Sequence, residues 1–379
     1  MHPQKSVGKL IITLKIVTAL LPAQTFLNIQ LSSSYTDNLF QNYYSTEDIM
    51  STASLALVHQ TDLKTTLYYN GSLGIFSQNP DLQHHNHQVG IGKNFTLAGS
   101  KNSINVGAYA RLRVDNPTYE IYDNSNYYAL ASFKYYLTPT TILKLKNTAG
   151  ARKYLNYSDY SYFENISAIN ISKFFKSRTS VQIGLEHYYK DYLEEQHIVE
   201  TDSSGVILNS VTKSPKVSQA LVAFKIAQNL GKLTAVQAHY QISKTLNGVN
   251  RFVEFDEIYE DEMLFDDHYS YSDNQMAISV KQFLPWQIIL VITGNYSEKI
   301  YNDRAVFDLA GNAITTEDTR LDYQHGATIQ LTKKFSTNKI PAMKSLDLFL
   351  NYSYRKNHSN DPYYKAATNF LMFGLETNI

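Results

Sequence analysis

From Phe26 onward, apolar and polar residues alternate with period two in segments of about ten residues. The cleanest runs from Ser103 to Val114. Ile104, Val106, Ala108, Ala110, Leu112 and Val114 share one face, and Ser103, Asn105, Tyr109, Arg111 and Arg113 the other. Leu346, Leu348, Leu350, Tyr352 and Tyr354 repeat this opposite Asp347, Asn351, Ser353 and Arg355, with Phe349 the exception. Val181, Ile183 and Leu185 do so opposite Gln182, Gly184 and Glu186. Period two with one apolar face is a strand lying between two different media. No long stretch repeats at the 3.6-residue helical period.

The connections alternate in length. Short turns are expected near Asp62–Lys64, Gly99–Asn102, Thr138–Thr140, Lys176–Arg178, Gly231–Lys232 and Pro285, with a longer one at Ser336–Lys344. Longer polar loops fall at Glu194–Lys216, Val249–Tyr269 and Asn302–Asp318. The pattern predicts an all-β chain of roughly sixteen antiparallel strands, an even number with short turns at one rim and long loops at the other. An open sheet edge facing lipid would leave backbone amides and carbonyls unsatisfied, at several kcal/mol each, so the sheet must close into a transmembrane barrel. Propellers and solenoids need repeats of similar length and do not account for the alternation.

Lys, any residue, then an aromatic recurs before the short turns: Lys93/Phe95, Lys134/Tyr136, Lys173/Phe175, Lys281/Phe283 and Lys333/Phe335. Aromatic rings favour the bilayer boundary and a nearby Lys can reach water. Phe95, Phe175, Phe283, Phe335 and Trp286 are thus expected in one membrane girdle. Tyr154, Tyr188, Tyr189, Tyr192, Tyr301, Tyr352 and Tyr354 gather at the other strand ends and predict a second.

Composition fits this reading. The chain of 379 residues has 30 Tyr and only 18% charged residues. Its mean hydropathy of −0.31 excludes a helical membrane bundle, while 43% hydrophobic content excludes disorder. Lys+Arg and Asp+Glu balance at 34 each, against nucleic-acid binding. The absence of Cys removes disulfides, thiolate metal sites and thiol catalysis. Lys5 and Lys9 precede an apolar run, Leu10–Leu21, broken by Pro22. Residues 1–23 are expected to be a cleaved signal peptide and 24–379 the barrel.

The closing segment Asn369–Ile379 resembles the C-terminal assembly signal of Gram-negative outer-membrane β-barrels, with Leu371, Phe373 and Leu375 alternating and Ile379 where that signal carries an aromatic. Tyr35-Thr36-Asp37-Asn38-Leu39-Phe40 and Asn360-Asp361-Pro362-Tyr363-Tyr364 are similar to segments in the barrel domains of surface lipoprotein assembly modifiers. Those proteins also carry a helical repeat domain not found in this sequence, so their function is not carried over. The resemblance implies an outer-membrane location, with outer-membrane lipid, lipopolysaccharide and the barrel-assembly machinery as partners.

The candidate chemistry is sparse. His84, His85 and His87 are one metal-ligating possibility, but read better as a polar loop end. Asp266-Asp267-His268 offers acid–base groups without a fixed nucleophile, and no enzyme is expected. Glu254–Asp267 is dense in carboxylates but lacks calcium-loop order. No cofactor or metal is assigned. If the apolar faces meet lipid, then Arg111, Arg113, Lys144, Lys146, Arg152, Lys190, Glu186 and Arg355 line the interior. These residues predict a pore for small polar or anionic solutes. The alternative is a surface binding or assembly barrel whose outer loops contact a macromolecule.

Overall fold

The computed structural model describes residues 25–61, 64–194, 196–201, 207–213, 216–248, 268–310, 313–335 and 343–379. The expected signal peptide and the acidic segment Glu254–Asp267 lie outside them. The strands are β1 (Thr25–Thr36), β2 (Asp48–Gln60), β3 (Thr65–Phe76), β4 (His84–Thr96), β5 (Ser103–Asp115) and β6 (Asn124–Thr138). Next come β7 (Thr141–Tyr154), β8 (Tyr162–Phe174), β9 (Thr179–Tyr192), β10 (Gln196–Thr201), β11 (Ile207–Lys213) and β12 (Lys216–Asn229). The chain ends with β13 (Thr234–Gly248), β14 (Tyr271–Leu284), β15 (Ile288–Phe307), β16 (Ala313–Phe335), β17 (Ser345–Ser359) and β18 (Ala366–Asn378).

Sixteen of these close into one antiparallel barrel, in which each strand pairs with its neighbours in sequence and β1 meets β18. β10 and β11 form a separate hairpin within the long connection from β9 to β12. Closure is in register: Asn28 faces Asn378, Leu31 faces Leu375 and Tyr35 faces Leu371. Just past that ladder, Leu27 and Ile379 exchange backbone hydrogen bonds at 3.3 and 2.8 Å. The expected closing strand is therefore the observed one.

The start of β1 and the end of β18 lie at the rim of short turns, which single-chain barrels place in the periplasm. The opposite rim carries the longer connections. One expectation needs correcting there. Asn302–Asp318 is not a loop: β15 runs to Phe307 and β16 starts at Ala313. Their pairing continues past Ile300–Leu321 through a series of bulges. The apolar alternation ends where both strand faces meet water, so the polar sequence conceals the extension.

The barrel is inverted relative to a soluble protein. Val106, Ile183 and Leu348 point outward with 38%, 49% and 43% of their surface exposed, whereas many of the most buried residues are polar, including Asp48, Gln219 and Asp322. The apolar outer band is not continuous. Asn147, Asn165 and Ser167 share its register and satisfy one another, Asn147 Nδ2 donating to Asn165 Oδ1 at 3.1 Å and to Ser167 Oγ at 2.9 Å. Internal pairing lowers the cost of polar groups in hydrocarbon.

Depth along a strand sets the cost of an outward charge. Leu185 lies near the middle of β9, and Val106 near the periplasmic end of β5. Leu185→Arg is expected to cost about 2–4 kcal/mol of folding free energy in lipid vesicles, and Val106→Arg distinctly less. Equal costs in denaturant titrations would show that the band does not contact the bilayer core.

Candidate functional site: the inner wall

Alternation places Arg111, Arg113, Lys144, Lys146, Arg152, Glu186, Lys190 and Arg355 on the inward face. Each pairs across strands with other inward residues, as Lys144 with Lys134, Lys146 with Ser132 and Arg152 with Asn126. What holds these cations is informative. Arg111 Nη2 donates to Asn86 Oδ1 at 2.9 Å, Arg152 Nε to Asn126 Oδ1 at 2.8 Å, and Arg355 Nη1 to Gln41 Oε1 at 2.8 Å. Neutral amides fix these guanidinium groups without cancelling their charge.

Tyrosine rings flank further cations, and Lys190 also faces Glu164 across β8 and β9. Lys190, 2% exposed, sits 4.3 Å from the ring centre of Tyr162 and 4.7 Å from that of Tyr192. Arg152 lies 5.5 Å from Tyr162, and Lys299 lies 4.3 Å from Tyr271. A ring face attracts a cation by about 0.5–2 kcal/mol while leaving its field intact. Ion pairs hold other cations. Arg113 meets Asp115 at 2.6 Å, Arg320 meets Asp322 at 2.7 Å, and Lys334 meets Asp347 at 3.6 Å. Asp115 is one inward acid that the sequence reading of this wall missed, as it missed Glu164; the two-residue offset of Asp115 from Arg113 on one strand face was the available signal.

This arrangement corrects the second girdle. Tyr154, Tyr188, Tyr192 and Tyr301 point inward; Tyr154, Tyr192 and Tyr301 are nearly inaccessible, and Tyr188 packs on His268. They are one residue off the lipid-facing register, which clustering at strand ends does not reveal. Tyr189, Tyr352 and Tyr354 keep the outward register. At the periplasmic rim Phe95 and Phe335 face outward, Phe175 is exposed just after β8, and Trp286 is 79% exposed in its turn. Phe283 instead shares the inward register with Lys281, whose ammonium lies 5.0 Å from its ring. The histidine trio is split as well: His85 and His87 face outward with Val114 and Leu112, while His84 faces inward with Asp115. The three cannot ligate one ion together. Asp266 and Asp267 lie outside the described residues.

The extracellular connections reach inward. Between β13 and β14, the short 3-10 turn His268–Ser270 leans along the inner wall past β12 towards β9 and β8, and Tyr269 is 2% exposed. Its hydroxyl donates to Glu164 on β8 at 3.3 Å, and its ring lies 5.3 Å from Lys190 on β9. Glu164 also accepts from the Tyr128 hydroxyl. Gln219 anchors the turn by donating to the His268 and Tyr271 carbonyls at 2.8 and 2.7 Å.

Asn42 and Tyr43, just after the first segment singled out in the sequence, meet the second. Asn42 Nδ2 donates to the Tyr363 hydroxyl at 3.0 Å, and the Tyr43 amide donates to the Tyr363 carbonyl at 2.8 Å. Asp361 accepts from the Tyr363 amide at 3.0 Å, and Tyr364 stacks 3.2 Å from the Arg320 guanidinium.

No family model and no curated protein matches the sequence. Solved structures do. The chain is similar to the outer membrane protein OpdK of Pseudomonas aeruginosa, with a TM-score of 0.51 at 9% identity over 95% of this chain and 100% of that one. It is also similar to OprD of the same organism, with a TM-score of 0.48 at 9% identity over 94% and 95%. The outer-membrane protein OmpT of Vibrio cholerae matches with a TM-score of 0.44 at 10% identity over 95% and 99%. A closed barrel with an apolar outer band is a membrane-spanning structure, and the chain has the sixteen-strand fold of a Gram-negative outer-membrane porin.

Proposed function

We propose that the protein is an outer-membrane pore for passive passage of small polar solutes, with a preference for anions. The observation that carries this reading is the way the inner wall holds its cations. Amide oxygens position Arg111, Arg152 and Arg355, so these charges are fixed but not neutralised. A sixteen-strand barrel has the width for an aqueous channel, and a wall with an excess of one charge concentrates the opposite ion. Tyr269, folded inward against Glu164 and Lys190, narrows the passage on the extracellular side. Solutes diffuse down their gradient, selected by width and charge, with no catalytic step.

The second reading, a surface binding barrel, draws on the β15–β16 hairpin. It continues beyond Tyr301, where β14 begins, and beyond Asp322, where β17 ends. Liposome swelling separates the two. Proteoliposomes should admit small organic anions faster than neutral solutes of matched size, and those faster than cations. Tyr269→Ala should raise all three rates. No swelling with any solute, in wild type or variant, would leave the binding reading in its place.

A further inference from the structure

The outward face of β17 changes character along its length. Leu348 and Leu350 are followed by Tyr352 and Tyr354, and these by Lys356 and His358 near the extracellular end. Residues on one face of a strand step about 7 Å apart. Aromatic rings mark the bilayer boundary, so Lys356 and His358 stand at headgroup level.

Neighbouring strands and the last loop add to them. His325 pairs with Lys356 across β16 and β17, and its ring stacks on His358 with centroids 5.4 Å apart. The charged groups acting on His358 are Lys356, His325 and Lys365. None of these four residues takes part in the ion pairs found among the described residues. On the flanking strands, Glu298 faces Tyr323, two strands from His358. Asp37 is occupied by the Asn369 amide and Nδ2 at 2.7 and 2.6 Å.

We propose that Lys356, His358, His325 and Lys365 form a site for the phosphate groups of an outer-leaflet glycolipid. Phosphate oxygens accept charge-assisted hydrogen bonds from the lysines and ring N–H bonds from the imidazoles. The acyl chains then run down the band over Leu350 and Leu348. Charge complementarity selects phosphate, and continuity with the tyrosine and leucine steps selects a lipid over a soluble anion. The site is on the outer wall and does not depend on the pore.

The test titrates the purified barrel with bisphosphorylated lipid A, with dephosphorylated lipid A and with inorganic phosphate, reading bound species by native mass spectrometry. Wild type should bind the phosphorylated lipid at least about tenfold more tightly than either other probe. The triple variant Lys356→Gln, His358→Gln, Lys365→Gln should lose that advantage. Lys93→Gln, near the opposite rim, should keep it. Heat-modifiable migration on gels confirms that each variant is folded. Equal binding by wild type and the triple variant would overturn the site. So would indifference to the lipid phosphates, or inorganic phosphate binding as tightly as the lipid.

Discussion

A chain ending at Thr368 is expected to fail to assemble in membranes. Removing Asn369–Ile379 strips β17 of its partner from Ser345 through Tyr354 and β1 of its partner from Asn28 through Thr36. Two strand edges would then face hydrocarbon, each presenting amides and carbonyls whose desolvation costs several kcal/mol apiece. The loss also frees Asp37, which holds the seam through Asn369. No rearrangement within the barrel replaces a ladder of that length. The measurement is heat-modifiable migration and protease protection after export. Normal insertion of the truncated chain would show that closure between β1 and β18 is dispensable.

The second large effect concerns charge. Converting Arg111, Arg113, Lys144, Lys146 and Arg152 to Gln removes the cations named on β5 and β7, while the acids of this wall remain. Asp115 then loses its partner at 2.6 Å, and Glu164 on β8 loses nearby positive charge. The anion preference should fall to unity or invert toward cations. The Debye length is roughly 8 Å at physiological salt, so the wild-type preference should itself weaken as salt rises. A variant with unchanged selectivity at low salt would move the selecting charges elsewhere in the barrel.

The fold was legible because the lipid-facing register writes itself into the sequence. Val106, Ile183 and Leu348 must be apolar, so their alternation locates strands and faces together. Where a strand leaves the bilayer that constraint lapses, and the ends of β15 and β16 read as loop. The inward residues were legible as the complement of the apolar rows, which is why all eight candidate wall residues fall on one face. Their partners were not. That Arg111 is held by Asn86 and Arg152 by Asn126 depends on inter-strand register, and register is set by the whole closed sheet. The tyrosines show the same limit. Tyr192 and Tyr189 lie three residues apart near one strand end, yet one is buried inside and the other faces outward. The inward turn at Tyr269 follows a segment whose clearest sequence feature is its carboxylates, and its contacts with Glu164 and Lys190 come from parts of the chain distant in sequence.

The central claim is an open lumen of positive character, and the reversal potential of the purified protein in a planar bilayer under a low-salt gradient tests it most directly. The account predicts discrete conductance steps with a reversal potential on the anion-selective side, moving toward zero as salt is raised. A potential on the cation-selective side, or a barrel that inserts and never conducts, would contradict it.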